Sequence, residues 1–385
     1  MTTEQILLRF LKSEITEAPL DCDISNISED MLKKAFILAK KHSVAHIFSD
    51  AVLKSGLKIN EELSKDFSDS VNTNYVLCVR KDYALEELKK LLSEEKIRFL
   101  PLKGSVIKDA YPSRWMRNSC DIDILIEEAD TAKAVKALCE KLRYTVDKKG
   151  THDISLYSGK IHLELHFRLV EEEIDSKAAK VLENIWELSY PKQGGGYEYI
   201  MTDEAFYFYH IAHMAVHFKG SGCGIRNFLD LWVLNNRMTF DPEKRDCMLK
   251  EGGLYKFDEE VKRLSEIWFS DKDYTVLSHN MEEYVFKSGP YRSRKNRVAI
   301  VRDTNKSGFS YWLMRIFKPY SEMKYCYPIL KKHPYLLPVM WVKRWKRIIF
   351  SKVGKDGIKS EIYESSVFKK EYSDKVKELI SDLEL

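Results

Sequence analysis

The segment Ser119-Cys-Asp-Ile-Asp-Ile-Leu-Ile126 sets two carboxylates, Asp121 and Asp123, two positions apart in a run that is otherwise mostly aliphatic. Side chains alternate across a strand with period two, so both acids project from one face while Ile122, Ile124 and Ile126 project from the other. Like charges held side by side are unfavourable unless a cation lies between them, and a divalent ion is the commonest occupant. The competing reading is an edge strand whose acids face water.

Two further stretches bear on the choice. Upstream, "FLPLKGS" ends an apolar run in Lys103-Gly104-Ser105 ahead of a helical "VIKDAY". A glycine there lets backbone amides approach a phosphate, and the helix start adds partial positive charge. Downstream, "KIHLELHFRL" places Glu164 in another strand with His162 and His166 on its own face. Three carboxylates on adjacent strands suit two magnesium ions, one activating an attacking hydroxyl and one binding a triphosphate and its leaving group. Asp153 in "THDISLY" takes the third place if the strand order differs, and in the structural alternative Glu164 lies on the outer face, paired with a lysine such as Lys160.

Other side chains are read against this frame. Arg117, four residues before Asp121, is suited to phosphate because a guanidinium grips it as a fork. Lys103 is a second phosphate candidate, although a lysine at a strand end is ordinarily solvated. His210, His213 and His217 stand at i, i+3 and i+7 on one helix face. Zinc ligation is one reading of them, and lining a substrate cleft is the preferred one. Arg226 and Asp230, four apart, read as an i,i+4 pair. Gly220, Gly222 and Gly224 lack a preceding strand and are no dinucleotide fingerprint.

The elements that must position these residues follow from periodicity. Residues 1–95 read as helices, including "TEQILLRFLKSEI", "SEDMLKKAFILAKKH" and a long stretch from Asn60 through "YALEELKKLLSEEK". Residues 96–200 alternate short strand-like runs with a helical "DTAKAVKALCEKL", the pattern of a mixed-sheet domain. Residues 201–288 return to helix, and residues 289–385 form a basic, aromatic region containing "YRSRKNR" and "WVKRWKRIIF". There Trp341 and Trp345 alternate with Lys343, Arg344, Lys346 and Arg347. Such a segment suits a membrane surface or RNA, and equally a helix that packs its tryptophans on the protein.

Of 385 residues, 44% are hydrophobic and 32% charged, a globular composition. Lys and Arg (63) nearly balance Asp and Glu (59), which excludes a global field for nucleic acid and makes any basic patch local. The seven cysteines are scattered without a CxxC, as expected for reduced thiols in a cytoplasmic protein. The first residues lack the basic start and cleavage site of a signal peptide, and no apolar run reaches the ~20 residues of a transmembrane helix.

The order Gly-Ser, Asp-x-Asp, third acid resembles the DNA polymerase β-like nucleotidyltransferase superfamily. More closely, "LKGS…Y…R…DIDILI", "HLELHFRL" and "HIAHMAVHF…GIRNFLDL" are similar to a bacterial group of uncharacterised nucleotidyltransferases, from about Phe99 to Trp232 and more loosely through the tail. Tyr111, Arg117, Arg226 and Asp230 match positions of the group. The interval between Ser105 and Asp121 is longer than is usual in the superfamily. The resemblance implies an α+β fold, a small mixed-sheet core flanked by N- and C-terminal helical regions. It implies metal on Asp121, Asp123 and Glu164, two Mg²⁺ ions, with Lys103, Gly104, Ser105 and Arg117 on the nucleotide. It sets the helix of His210, His213 and His217 against the catalytic sheet, making those residues, His166 and Arg226 cleft candidates. The expected reaction moves NMP from an NTP to an acceptor hydroxyl or phosphate of a small molecule, sugar intermediate, protein or RNA end. The alternative is a membrane-surface or nucleotide-binding module with little turnover, and peripheral membrane contact is expected through residues 310–352.

Overall fold

Thr2 opens the first helix, α1 (Thr3–Thr16), through a reciprocal capping box with Gln5. The structure is a computed structural model that describes residues 1–150, 152–169, 176–194, 196–288, 316–327, 329–350 and 370–385, with isolated positions 296, 300 and 313. Ser28 caps α2 (Glu29–Lys41) by accepting from the Met31 amide. After α3 (Ala45–Lys54), Asn60 caps the 34-residue α4 (Glu61–Glu94).

Strand β1 (Phe99–Pro101) leads into the one-turn helix α5 (Gly104–Ile107), and two short 3₁₀ turns follow before β2 (Ile122–Ile126). Then come α6 (Thr131–Leu142), β3 (Thr145–Lys149), β4 (Asp153–Ser158) and β5 (Ile161–His166). These five strands form one sheet in the order β1-β2-β5-β4-β3, with β2 and β5 parallel and the other neighbours antiparallel. Helix α7 (Ser176–Glu183) and a two-stranded ribbon, β6 (Ser189–Pro191) with β7 (Tyr199–Met201), lead to α8 (Asp203–Ser221), α9 (Ile225–Arg237), α10 (Pro242–Glu251), α11 (Tyr255–Ser270) and α12 (Val276–Ser288). The fold is α+β, a mixed five-stranded sheet among many helices.

Two hydrophobic clusters hold the sheet. On one face Ile122, Ile124, Ile126, Leu163 and Leu165 pack against Leu85, Leu88 and Leu92 of α4 and Ala134 and Leu138 of α6. The i, i+3, i+7 spacing on α4 makes that a single helical stripe. The second, larger cluster runs through α1, α2, α3, α8, α9 and α11 and takes in Leu100, Leu102 and Leu125 from the sheet's other side. The start of α4, through Leu63 and Phe67, belongs to this second cluster. One long helix therefore spans both cores, and the chain's first helices and those of residues 201–288 share their packing.

Beyond α12, helices run over Tyr320–Cys326, Ile329–Lys332, Leu337–Phe350 and Lys370–Asp382. Trp341 and Trp345 donate to the carbonyls of Lys318 and Ile316 and set their rings edge-on to Phe317, so both tryptophans pack on that segment. Of "YRSRKNR", only Asn296 lies within the described residues. Among the described residues no helix is long and apolar enough to cross a membrane.

Candidate active site

Register explains how the acids meet. In the parallel pair Asp123 stands opposite Glu164, and in the antiparallel pair Glu164 stands opposite Ser155 and His166 opposite Asp153. Directly paired residues share a face, so Asp123, Glu164 and His166 project from the side opposite α4, and period two adds Asp121 and His162. Among the described residues two sets of ligand atoms each lie within 4.8 Å of one another, Asp121 with His162 and Glu164, and Asp123 with Glu164 and His166. Glu164 is common to both. Asp153 is in neither set and sits 3.6 Å from the His152 imidazole instead.

Three carboxylates and two imidazoles around a shared Glu164 are a donor set that fits a divalent cation. Oxygen ligands favour Mg²⁺ or Mn²⁺, while the imidazoles widen the choice toward transition metals.

The electrostatics are uneven. Burial, then the charges of Asp123 and Glu164, raise the pKa of Asp121. Burial acts the same way on Asp123, but Lys103 and His166 outweigh it and hold this acid well below the carboxylate range. Lys103 Nζ lies 2.9 Å from Asp123 Oδ1, and His166 Nε2 lies 3.0 Å from the same oxygen. Burial works against the charged forms of both partners, yet Asp123 raises Lys103, and the bonds to Asp123 and Glu164 raise His166. Lys103 is thus not the solvated strand-end lysine expected: its charge is spent on Asp123. Its backbone sits at φ 45°, an unfavourable value for a residue with a Cβ.

The turn after Lys103 departs from a phosphate cradle. A Cβ on Gly104 would meet Ser119 Cβ at 2.9 Å, so close approach of the loop before Asp121 requires glycine there. The amides of Ser105, Val106 and Ile107 are already bonded within the turn. Arg117 differs from expectation more sharply. It is buried, with Nε 2.6 Å from Asp230 Oδ1 and Nη1 on the Asn118 carbonyl. Tyr111 donates to the same Asp230 oxygen at 2.6 Å. Asp230 is therefore a tertiary anchor for two residues of the loop that leads to Asp121, rather than simply the i+4 partner of Arg226. Arg226 Nη1 lies 3.4 Å from the Asn118 carbonyl, on the same loop.

Helix α8 faces this cluster. His213 is held well below the usual histidine range by burial and then by the charge of Lys103, and Asp123 also acts on it. Its Nε2 lies 3.2 Å from that of His217, with ring centroids 4.4 Å apart. Burial lowers His210 as well. His213 thus stands near Lys103 and Asp123 and against His217, while His210 stands near Asp230 and Arg117, and among the described residues the three form no ligand set of their own.

Sequence reasoning missed two neighbours. Lys81 of α4 reaches Asn118 Oδ1 at 3.2 Å; burial lowers its pKa, and the charge of Asp121 acts against that. Tyr209 of α8 acts on Lys103. Both sit in helical runs, where neither spacing nor composition separates them from ordinary helix residues. His162 did carry a signal, its period-two distance from Glu164.

Comparison with curated proteins finds no match, and comparison with solved structures finds none. The profile of a family described as uncharacterised nucleotidyltransferase matches residues 29–270, which include α2, the whole five-stranded sheet and α8. With well over half of its length inside that match, the chain belongs to this family of uncharacterised nucleotidyltransferases.

Proposed function

We propose that the chain catalyses metal-dependent transfer of a nucleoside monophosphate from an NTP to an acceptor hydroxyl or phosphate, with release of pyrophosphate. The observation that carries this reading is the pair of ligand sets joined by Glu164 on one sheet face. Asp121, Asp123 and Glu164 would hold the cation, Mg²⁺ in two copies as the resemblance implies. When bound, the metal would supply charge neutralisation at the triphosphate and acidify the acceptor hydroxyl. Glu164, more exposed than Asp123, accepts the proton that the acceptor gives up. Lys103, whose ammonium lies 2.9 Å from Asp123 Oδ1, would supply positive charge toward the phosphates. Tyr209 and His213 of α8 stand near Lys103.

The test compares Mg²⁺-NTP binding and pyrophosphate release for the full chain and for Asp121→Asn and Asp123→Asn. Each substitution is expected to cut turnover by orders of magnitude with a folded protein remaining. Undiminished pyrophosphate release from Asp123→Asn would sink the reading.

The Lys103–Asp123 ion pair favours a second reading, a nucleotide-binding module with little turnover, because it already neutralises a metal ligand. In that case the same experiment gives binding without pyrophosphate.

For the tail we propose peripheral contact with an anionic membrane surface, on the cytoplasmic face. The helix Leu337–Phe350 carries no acid, and Val339, Ile349 and Phe350 are 56%, 54% and 83% exposed beside Lys343, Lys346 and Arg347. Co-sedimentation with vesicles containing phosphatidylserine, weakened by salt, is expected. Equal binding to neutral vesicles, or none to either, counts against it.

A further inference from the structure

A cavity of about 510 Å³ opens between α2, α3, α4, Arg226 of α9 and the segment Asn118–Cys120, which immediately precedes Asp121 in the chain. Its size falls in the range of small-molecule sites, about 300–1,000 Å³. Its lining does not follow the apolar habit of such sites. Along α4, Asp66, Asp69, Ser70, Thr73 and Asn74 form one helical stripe, all polar and all turned to the cavity. Leu63 and Phe67 of the same turns pack into the core, so the polar stripe is a separate face.

The less exposed part of the lining is mostly neutral hydrogen-bonding groups. It holds the hydroxyls of Ser43, Ser70 and Ser119 and the amides of Asn74 and Asn118. His46 also lines it, and burial lowers its pKa to about 4, so its ring is neutral near pH 7. Among the described residues Arg226 is the one permanent charge there, whereas Lys40, Asp66 and Asp69 stand exposed at the rim. The floor is rigid. Lys81 donates to Asn118 Oδ1, Asn118 Nδ2 to Asn74 Oδ1, and Ser119 Oγ to the carbonyl of Asp121 at 2.6 Å. A molecule in this cavity touches Cys120, the chain neighbour of Asp121.

We propose that this cavity is the acceptor site and takes a small polyhydroxylated molecule with an anionic group, in chemical class a sugar phosphate, its anion against Arg226 and one hydroxyl at the Asp121 end. The assignment rests on the nucleotidyl-transfer reading above. A lining of hydroxyls and amides, some of them bonded to one another in the floor, matches a hydroxylated molecule better than an apolar one. One inner guanidinium selects an anion. In the transfer, the acceptor oxygen bonds to the α-phosphorus of the NTP and the bond from that phosphorus to the bridging oxygen breaks. Pyrophosphate leaves with the electron pair, and the hydroxyl proton passes to Glu164.

The experiment measures Mg²⁺-NTP binding, then pyrophosphate release in water alone and with glucose 6-phosphate, glucose or inorganic phosphate. Glucose 6-phosphate is expected to stimulate release saturably, glucose to do so with weaker half-saturation, and inorganic phosphate to compete with the sugar phosphate. Thr73→Trp, at an exposed rim position that does not threaten folding, is expected to bring the ratio of stimulated to unstimulated release to about one. Arg226→Gln is expected to raise the half-saturation for glucose 6-phosphate about tenfold and leave that for glucose in place. The proposal is overturned if none of the probes stimulates, if Thr73→Trp keeps the full ratio, or if glucose 6-phosphate acts only by competing with the NTP. Absence of Mg²⁺-NTP binding by the unmodified chain overturns the nucleotidyl-transfer reading itself, whereas intact binding without stimulation overturns the acceptor assignment alone.

Discussion

Arg117 Nε donates to Asp230 Oδ1 across 2.6 Å, and both side chains are buried, 113 positions apart in the chain. The pair ties the loop before the metal-binding strand to α9 and uses up a guanidinium that suits phosphate. Removing one partner leaves the other charge buried. Asp230→Asn and Arg117→Gln are therefore expected to cost about 3–5 kcal/mol each, read as falls in melting temperature. An Arg117→Gln protein that melts normally yet binds Mg²⁺-NTP poorly would instead return Arg117 to the nucleotide.

A second prediction concerns Lys103. Its ammonium and the His166 ring converge on one oxygen of Asp123, where a cation would bind. Lys103→Met removes the stronger competitor and also leaves Asp123 less well compensated. The metal-free protein is expected to lose about 2 kcal/mol, while Mn²⁺ binding in the absence of nucleotide tightens. Titration by electron paramagnetic resonance checks the second half. Weaker Mn²⁺ binding in Lys103→Met would mean that the lysine supports the metal site rather than competing with it.

What was legible in the sequence was whatever local periodicity encodes. The acids of "DIDILI", the face of Glu164 and the capped helices at Ser28 and Asn60 all depend on neighbours within a few residues. The partners of Arg117 and Lys103 depend on contacts from far along the chain or across the turn, which spacing does not report. The strand β3, with every side chain exposed, carries no alternation of burial and left no trace in the pattern. The cavity beside Asp121 was illegible for a further reason. Its stripe on α4 is polar, and a polar helical stripe reads as ordinary solvent-facing surface.

Asp258 offers a pH test remote from the site. Its carboxyl is buried and accepts from Tyr207 OH at 2.6 Å, and burial raises its pKa to about 6. The folded value lies above the unfolded one, so the group's contribution is fully present below the unfolded pKa, about 4, and is lost as pH rises through about 6. Asp258→Asn does not titrate and keeps a carbonyl oxygen for Tyr207. Relative to this variant, the parent chain is expected to lose about 2 kcal/mol between pH 4 and pH 7. Chemical denaturation of both proteins across that window reads the difference, and a difference that stays flat would show that Asp258 titrates as an ordinary carboxylate.

Glu164 separates function from structure most sharply, because it belongs to both ligand sets and is the carboxylate that paired strands set directly beside Asp123. Its His166 contact at 3.6 Å is longer than that of Asp123, so the fold depends on it less. Glu164→Gln keeps the shape and one oxygen donor while removing the negative charge and the capacity to take a proton. Mg²⁺-NTP binding, which Asp121 and Asp123 still support, is expected to persist while pyrophosphate release slows by orders of magnitude. Asp153→Asn provides the contrast. Its position opposite His166 puts it on the same face, yet it is outside both ligand sets. Release in that variant is expected to stay near the parent value. If instead Asp153→Asn is the slow variant and Glu164→Gln turns over normally, the third carboxylate lies on β4, and Glu164 serves only to hold His166 in the sheet.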